Sequence, residues 1–386
     1  MTNNPSDAHL ADSFGNDLAF LKQHTSVVLL SDESKQSQVI VAPAWQGRVM
    51  TSTARGASGD SFGWVNRKLI ASGEIQPQIN VFGGEDRFWL GPEGGQFSVF
   101  FAKDVPFEME HWFTPAPLDT EAFEVVSQQD DRVSCKLAFQ LTNYSGTKFD
   151  LQAQREVQLV DAAAEITKLG GKLPQEVSSV GYVSLNTVKN VGENAWVKQT
   201  GLLSIWILGM YNASDDSVVV VPYESGPESQ RGAIVNDAYF GKVPADRLID
   251  REGELLFRAD AKHRSKIGLS PSRAKPVLGS YDAASKTLTI VTYTFPKDAT
   301  DYVNSMWELQ DEPLCGDVVN SYTDDGNLGR FFELESSSPA LALKPGESQT
   351  HQHQTIHLQG KEKDLDAIAK SVLGVGLNEI TSAFAN

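Results

Sequence analysis

The chain has 386 residues, of which 40% are hydrophobic and 22% charged, so it can bury a sizeable core in one large domain or two ordinary ones. Its formal net charge of -17 argues against nucleic acid or an anionic membrane as a partner, because proteins that bind those surfaces are basic. No apolar run reaches the roughly 18 residues of a membrane span, and the two cysteines, Cys135 and Cys315, do not indicate a disulfide framework.

The N-terminal segment predicts one helix and no secretion signal. Its first twelve residues lack a basic region followed by an apolar one, which predicts a cytoplasmic protein as written, or a periplasmic one if a signal peptide was removed. Residues 13–23 follow a Ser/Asp capping signal and space Phe14, Leu18 and Leu21 helically. We therefore assign residues 1–24 to an N-terminal helical extension.

Most of the remaining chain has the pattern of β-strands. In residues 132–144, apolar side chains alternate with polar ones, as in a half-buried antiparallel strand. Further strands are predicted at residues 26–30, 38–42, 202–208, 218–222, 286–295 and 341–359. Many strands joined by turns, with almost no helices between them, predict a large all-β antiparallel sandwich over residues 25–360.

The C-terminal segment, residues 361–386, predicts a return to helix. Residues 363–374 place apolar side chains on one helical face and stop at Gly374. The short helices at the two ends would then be peripheral to a single sandwich domain.

Residues 80–98 form the densest functional-looking stretch. Five glycines and a proline surround its charged and aromatic side chains, and glycine lets a backbone approach a ligand closely. Carboxylates and arginine suit sugar hydroxyls, while an indole suits the apolar face of a pyranose. The candidate sugar-binding residues here are Glu85, Asp86, Arg87, Trp89 and Glu93. The alternative is that the carboxylate–arginine pairs only order the loop.

Residues 306–347 carry a second, acidic cluster, which includes Trp307 and Asn320 as candidate sugar-binding residues. Glu333 and Glu335 would share one face of a strand, because side chains alternate with period two. Such a dense acidic segment is usually solvated, and Asp324 begins a turn signal. Calcium binding is an alternative, although the EF-hand spacing is absent.

Residues 257–276 form a basic island in an acidic protein and contain His263, Arg264 and Lys266. A local excess of positive charge suggests an anionic ligand group such as a uronate, sulfate or phosphate. The alternative is that these side chains pair with the acidic cluster.

Residues 350–357 hold His351, His353 and His357, which would lie on one face of a strand. The first two could ligate one zinc ion if a third ligand came from elsewhere, whereas His357 is too distant along the strand. Acid catalysis by His353 and ordinary strand histidines without a functional role are the alternatives. We expect this strand to pair with that of Glu335, with His351 exposed near the intervening turn.

Three stretches carry a resemblance to a known family. The closing strands of the galactose mutarotase-like (aldose 1-epimerase) superfamily resemble FELESSSPALALKPGESQTHQHQTIHLQG (332–360). Its opening hairpin resembles VIVAPAWQGRVMTSTARG (39–56), and its sugar loop resembles GGEDRFWLGPEGG (83–95). The chain also resembles an uncharacterised bacterial group within that superfamily. The resemblance spans about residues 25–360. It implies a β-supersandwich with a sugar cleft on a concave face.

The resemblance also implies residue roles. Glu335 matches the glutamate that takes the proton of the anomeric hydroxyl, and Arg87 is the best match for the sugar-binding arginine. The family's central histidine, which protonates the ring oxygen, has no counterpart in residues 181–192. His263 or His353 would have to replace it.

These features predict a carbohydrate-binding protein that transfers protons at a sugar ring, with a monosaccharide or glycan end as its partner. The alternatives are a lyase or hydrolase of acidic glycans, a non-catalytic glycan-binding protein, and a sandwich whose cleft is degenerate. No cofactor is predicted; a divalent cation is compatible with the sequence but not required by it. The sequence makes no prediction of oligomeric state.

Overall fold

The computed structural model describes residues 13–384. Its strands form three antiparallel sheets. The smallest has the order β1-β2-β3 and consists of β1 (Val28–Ser31), β2 (Gln38–Ala42) and β3 (Arg48–Thr53).

A ten-stranded sheet forms one side of the sandwich, in the order β11-β12-β10-β14-β15-β18-β8-β7-β6-β5. Its strands are β5 (Glu124–Gln128), β6 (Arg132–Thr142), β7 (Lys148–Val160), β8 (Ser178–Asn190), β10 (Ser217–Pro222), β11 (Leu248–Asp250), β12 (Glu254–Arg258), β14 (Val277–Asp282), β15 (Thr287–Tyr293) and β18 (Ser348–Gln359).

A five-stranded sheet packs against it, in the order β13-β16-β17-β9-β4. Its strands are β4 (Arg87–Gly91), β9 (Ser204–Asn212), β13 (Ser265–Leu269), β16 (Val319–Thr323) and β17 (Phe331–Ser337). Leu334 of β17 shares a buried apolar cluster with Phe257 and Val291 of the ten-stranded sheet, so this face of β17 points into the core.

The helices of the described residues are short; three lie at the two ends, where helices were predicted, and four more lie between strands. They are α1 (Phe14–His24), α2 (Arg67–Ser72), α3 (Ala116–Asp119), α4 (Ala162–Lys168), α5 (Glu228–Arg231), α6 (Glu362–Leu373) and α7 (Leu377–Ser382). Helix α6 ends at Gly374, whose φ of 83° suits glycine, and it buries Leu365 and Ile368 against the outer face of the ten-stranded sheet. None of the helices within residues 13–384 has the length and apolarity needed to cross a membrane.

The expectation that the closing histidine strand pairs with the strand of Glu335 is wrong. Strand β18 pairs with β8 and β15, whereas β17 pairs with β16 and β9. The ten residues between β17 and β18 therefore cross from one sheet to the other instead of closing a hairpin. As a result the two strands face each other across the core.

Candidate functional site

The outer face of the five-stranded sheet gathers charged side chains from three strands. Residues directly opposite each other in an antiparallel pair share a face, and the register aligns Asn320, Glu335, Leu208 and Arg87 in one row. The neighbouring row aligns Lys266, Tyr322 and Glu333. With Glu93 from the loop after β4, we call Arg87, Glu93, Lys266, Glu333 and Glu335 the carboxylate cluster.

Glu335 lies at the centre of the cluster and is fully buried. Its Oε2 accepts hydrogen bonds from Lys266 Nζ at 2.8 Å and from Trp206 Nε1 at 2.9 Å. Its Oε1 has no hydrogen-bond partner among the described residues. Because an unpaired buried carboxylate oxygen is costly, Oε1 is an acceptor whose hydrogen-bonding capacity is unused within the described residues.

Glu333 lies two residues away on the same face and pairs with Arg87, whose guanidinium is 3.0 Å from Glu333 Oε1. Burial raises the pKa of Glu333 to about 7, with Arg87 opposing the rise and the Glu335 carboxylate adding to it. The guanidinium of Arg87 also lies 4.3 Å from the ring centre of Trp89. Arg87 is therefore held from two sides.

Glu93 approaches the cluster from the turn after β4 and remains partly exposed. Its backbone N–H donates to Ser305 Oγ at 3.2 Å, and its carboxyl group accepts from the side chain of Trp307. Burial among protein atoms raises the pKa of Glu93 to about 7, with Lys266 opposing the rise and Glu335 adding to it. The cluster thus contains two carboxyl groups that titrate near neutral pH.

Lys266 connects the carboxyl groups. Burial lowers its pKa, but the carboxylates of Glu335 and Glu93 outweigh burial, so the net shift is upward and the ammonium stays charged. Its Nζ lies 4.7 Å from the ring centre of Trp206 and 5.3 Å from that of Tyr239. Two aromatic faces and a carboxylate therefore fix this cation.

Sequence reasoning missed Trp206, Tyr239 and Asp317. Tyr239 donates its hydroxyl to Asp317 Oδ2 at 2.7 Å, and Asn320 Nδ2 lies 3.4 Å from the same hydroxyl oxygen. Trp206 stands in an apolar strand that reads as ordinary core, and Tyr239 stands in an irregular segment. Neither position carries a signal that separates a site residue from a structural one.

Two residues expected to bind sugar lie elsewhere, and a third is enclosed beside the cluster. Glu85 and Asp86 are fully buried between the sheets, where Glu85 accepts from Tyr182 and contacts His357, while Asp86 pairs with Arg155. Trp89 is 3% exposed, donates its indole N–H to the carbonyl oxygen of Leu118, and packs against Trp206. Trp89 therefore lies beside the cluster, on the same sheet face as Arg87 and Trp206, but it is enclosed by its neighbours and has no face free for a pyranose.

The closing histidines share one face, as predicted, but that face points into the core. The hydroxyl of Ser336 lies 2.8 Å from both His351 Nε2 and His353 Nδ1. Ser336 is on the side of β17 opposite Glu335, so His353 does not reach the cluster, and the expectation that it acts there is wrong. His351, expected to be exposed, is fully buried. Burial lowers the pKa of each of these histidines to about 3, so both rings are neutral.

The basic island is dispersed in the fold. Lys266 joins the cluster, while Lys262 pairs with Asp215 and Arg273 donates to backbone carbonyl groups. His263 lies exposed in the turn before β13, with Nδ1 3.0 Å from Ser265 Oγ. The contact described for His263 is with Ser265 and not with the carboxylate cluster, so its role as the acid remains a prediction.

The acidic segment gives little support for a cation. Asp324 Oδ2 accepts from the backbone N–H groups of Gly326, Leu328 and Gly329, which makes it the organiser of a turn. Within residues 13–384, the His, Cys and carboxylate side chains close enough together to hold a metal ion are the surface group Glu108, Glu110 and His111. That group lies outside both segments considered for a metal.

Two surface pockets of about 350 and 340 Å³ lie away from the cluster. The first adjoins Tyr281 and helix α6, and the second adjoins Phe101 and Phe113. Tyr281, Asp366 and Lys370 of the first pocket have shifted pKa values, but the surface ion pair of Asp366 and Lys370 causes two of these shifts, and neither pocket joins several buried carboxyl groups as the carboxylate cluster does. We therefore favour the cluster on its chemistry.

Comparison with known proteins gives a family and a fold. The family of unknown function DUF6786 matches residues 12–384. No curated protein matches the chain.

Among solved structures, the Slr1438 protein from Synechocystis sp. is 11% identical, with a TM-score of 0.52 over 87% of this chain and 96% of that one. A putative aldose 1-epimerase from Escherichia coli is 12% identical, with a TM-score of 0.51 over 87% and 99% of the two chains. A galactose mutarotase-like protein from Lactobacillus casei is 11% identical, with a TM-score of 0.49 over 86% and 100%.

Proposed function

The chain belongs to the DUF6786 family and has the galactose mutarotase-like fold, and from its carboxylate cluster we propose that it binds a carbohydrate and transfers protons at the sugar ring. The observation that carries this proposal is the unpartnered, fully buried Oε1 of Glu335. A sugar hydroxyl donating to Oε1 would satisfy it. The neighbouring Lys266, Arg87 and Asn320 supply donors for further hydroxyl groups, and the partly exposed Trp307 supplies an aromatic face.

The proposed reaction interconverts the two anomers of an aldose. Glu335 takes the proton of the anomeric hydroxyl, and the oxygen of that hydroxyl becomes the carbonyl oxygen of the open-chain sugar. The bond between the anomeric carbon and the ring oxygen breaks, and its electron pair stays on the ring oxygen, which receives a proton from an acid. Rotation about the adjacent carbon–carbon bond and reversal of these steps give the other anomer. Electrons and protons balance without a cofactor.

Two measurements on the wild-type protein test this proposal. A panel of neutral aldoses at millimolar concentration should raise the midpoint of thermal unfolding, because a ligand that binds the folded state stabilises it. Polarimetry should then show that the protein accelerates mutarotation of the stabilising sugar. Stabilisation without acceleration would support the non-catalytic glycan-binding alternative. Absence of both would contradict the proposal.

One observation favours a second candidate, a protein that acts on acidic glycans. Arg264 is exposed, two residues before Lys266 of the cluster, and its guanidinium carbon lies 4.1 Å from the ring centre of Phe240. In the described part of the chain no carboxylate lies within ion-pair distance of it, although its charge lowers the pKa of the nearby Glu93. An oriented and unpaired guanidinium suits the carboxylate of a uronate or a sulfate group.

Replacing Arg264 with alanine separates the two candidates. If the ligand is an acidic glycan, affinity for a uronate should fall about tenfold, the loss expected for one charge-assisted hydrogen bond, while affinity for a neutral sugar stays unchanged. Isothermal titration calorimetry measures both values. Arg132→Ala, which removes an exposed arginine from strand β6, is the control. Equal affinity for the uronate in wild type and Arg264→Ala would rule out this role for Arg264.

A further inference from the structure

We propose that Glu93 is the catalytic residue that donates the proton to the ring oxygen, in the role for which the sequence offered only His263 and His353. This inference rests on the proposed function and deepens it, because it assigns the acid that the reaction requires. It follows from the position of Glu93, the rigidity of its loop and the engagement of the other carboxyl groups.

The loop that carries Glu93 is clamped by the segment around Trp307. A Cβ added at Gly94 would lie 2.3 Å from the carbonyl oxygen of Met306, so the two backbones are in direct contact. The side chain of Gln96 donates to the carbonyl oxygen of Gln310 at 2.8 Å. With Ser305 bonded to its backbone and Trp307 to its carboxyl group, Glu93 is held in place before any ligand arrives.

The other carboxyl groups of the cluster are less suited to donate a proton. Glu335 already accepts two hydrogen bonds on one oxygen, from Lys266 and Trp206. Glu333 is 5% exposed and tied to Arg87. Of these three carboxyl groups, Glu93 is the one that is partly exposed, so an entering sugar can contact it.

The charges around Glu93 also suit an acid. Lys266 and Arg264 oppose protonation, while burial and the Glu335 carboxylate favour it, and Trp307 donates to the charged form. The net result is a pKa of about 7, so Glu93 can hold a proton near neutral pH. A protonated Glu93 beside the proposed base Glu335 would supply the acid that the reaction requires.

In the proposed step, Glu93 gives its proton to the ring oxygen while the bond from that oxygen to the anomeric carbon breaks. Glu335 removes the proton from the anomeric hydroxyl in the same ring opening. When the ring closes, Glu93 takes its proton back from the oxygen that re-forms the ring, and Glu335 returns its proton to the anomeric oxygen. Both residues are therefore restored after each turnover.

Replacing Glu93 with glutamine tests the assignment. We expect kcat to fall by about 10² to 10⁴, the usual contribution of a general acid, while Kd for the sugar changes only a few fold. The wild-type kcat should fall as the pH rises through about 7, because the acid form of Glu93 is lost, and Glu93→Gln should lack that decline. Glu93→Asp should recover part of the activity. Glu74→Gln, at an exposed position, is the control.

A second readout does not depend on turnover. The pKa of Glu93 in the folded protein lies above its ordinary value of 4.5, so its contribution to stability is present below pH 4.5 and lost as the pH rises through about 7. The midpoint of thermal unfolding should therefore decline less over this pH range in Glu93→Gln than in wild type. A parallel decline in both proteins would contradict the shifted pKa.

The outcomes also separate this inference from the function on which it rests. If Glu335→Gln loses turnover while Glu93→Gln keeps the wild-type rate and pH profile, the inference fails and the proposed function stands. If the wild-type protein neither binds nor turns over any aldose, both fail. If Glu93→Gln loses sugar binding and turnover together, with its fold intact, Glu93 binds the sugar and the assignment as acid is overturned.

Discussion

Turnover should fall by about 10² to 10⁴ when Glu335 is replaced by glutamine, because the substitution removes the proposed base but keeps the shape of the side chain. The amide oxygen can still accept from Lys266 and Trp206, so sugar binding should persist at a similar Kd. Polarimetry gives the rate, and calorimetry gives the affinity on the same preparation. Loss of turnover with affinity retained is the signature expected of a catalytic base.

The matched control is Glu176→Gln, the same change at an exposed position, which should leave both values unchanged. The double variant Glu335→Gln with Lys266→Met addresses the risk that an unpaired ammonium unfolds the site. A Glu335→Gln protein that folds and turns over at the wild-type rate would remove Glu335 from the mechanism.

The largest expected effect on stability comes from Arg155→Met. Arg155 and Asp86 form a buried ion pair between the sheets, with side chains 1% and 0% exposed, and Ser184 donates to the second oxygen of Asp86 at 2.6 Å. Removing one partner of such a pair costs about 3–5 kcal/mol, because the other charge is left uncompensated. Burial already raises the pKa of Asp86, so the loss should be smaller at low pH, where the carboxyl group takes up a proton.

Urea unfolding at pH 5 and pH 8 measures both effects. Arg132→Met is the control, since the side chains of the ion pair between Arg132 and Asp131 are 36% and 44% exposed. Loss of this surface pair should change the free energy of unfolding by less than about 0.5 kcal/mol. Adding Asp86→Asn to Arg155→Met should recover part of the stability by removing the unpaired charge. Similar losses in Arg155→Met and Arg132→Met would show that the buried pair contributes no more than a surface pair.

Local pattern predicted part of the secondary structure. Alternation of apolar and polar side chains identified β6, and the helical spacing and glycine stop near the C-terminus identified α6. The resemblance of the closing segment identified the fold and led to Glu335. These features depend on neighbours in sequence, so they can be recognised without knowing what packs against them.

The pattern failed where both faces of a strand are buried. Ser336 and Glu335 are adjacent and both fully buried, yet one faces the core and the other the carboxylate cluster. Composition does not separate the two faces, and this led to the wrong location for His353. Asp86 and Arg87 likewise point to opposite faces: Asp86 pairs with Arg155 in the core, and only Arg87 reaches the carboxylate cluster.

The sequence by itself determined an all-β sandwich with helices at its ends, a glycine-rich loop bearing Arg87 and Glu93, and a strand bearing Glu335. Only the tertiary structure decided that Glu93, Lys266 and Trp206, which come from three distant parts of the chain, surround that glutamate. The physical reason is that β-sheet register and the crossing of the chain between sheets set which side chains meet. Those are long-range properties that no local periodicity encodes.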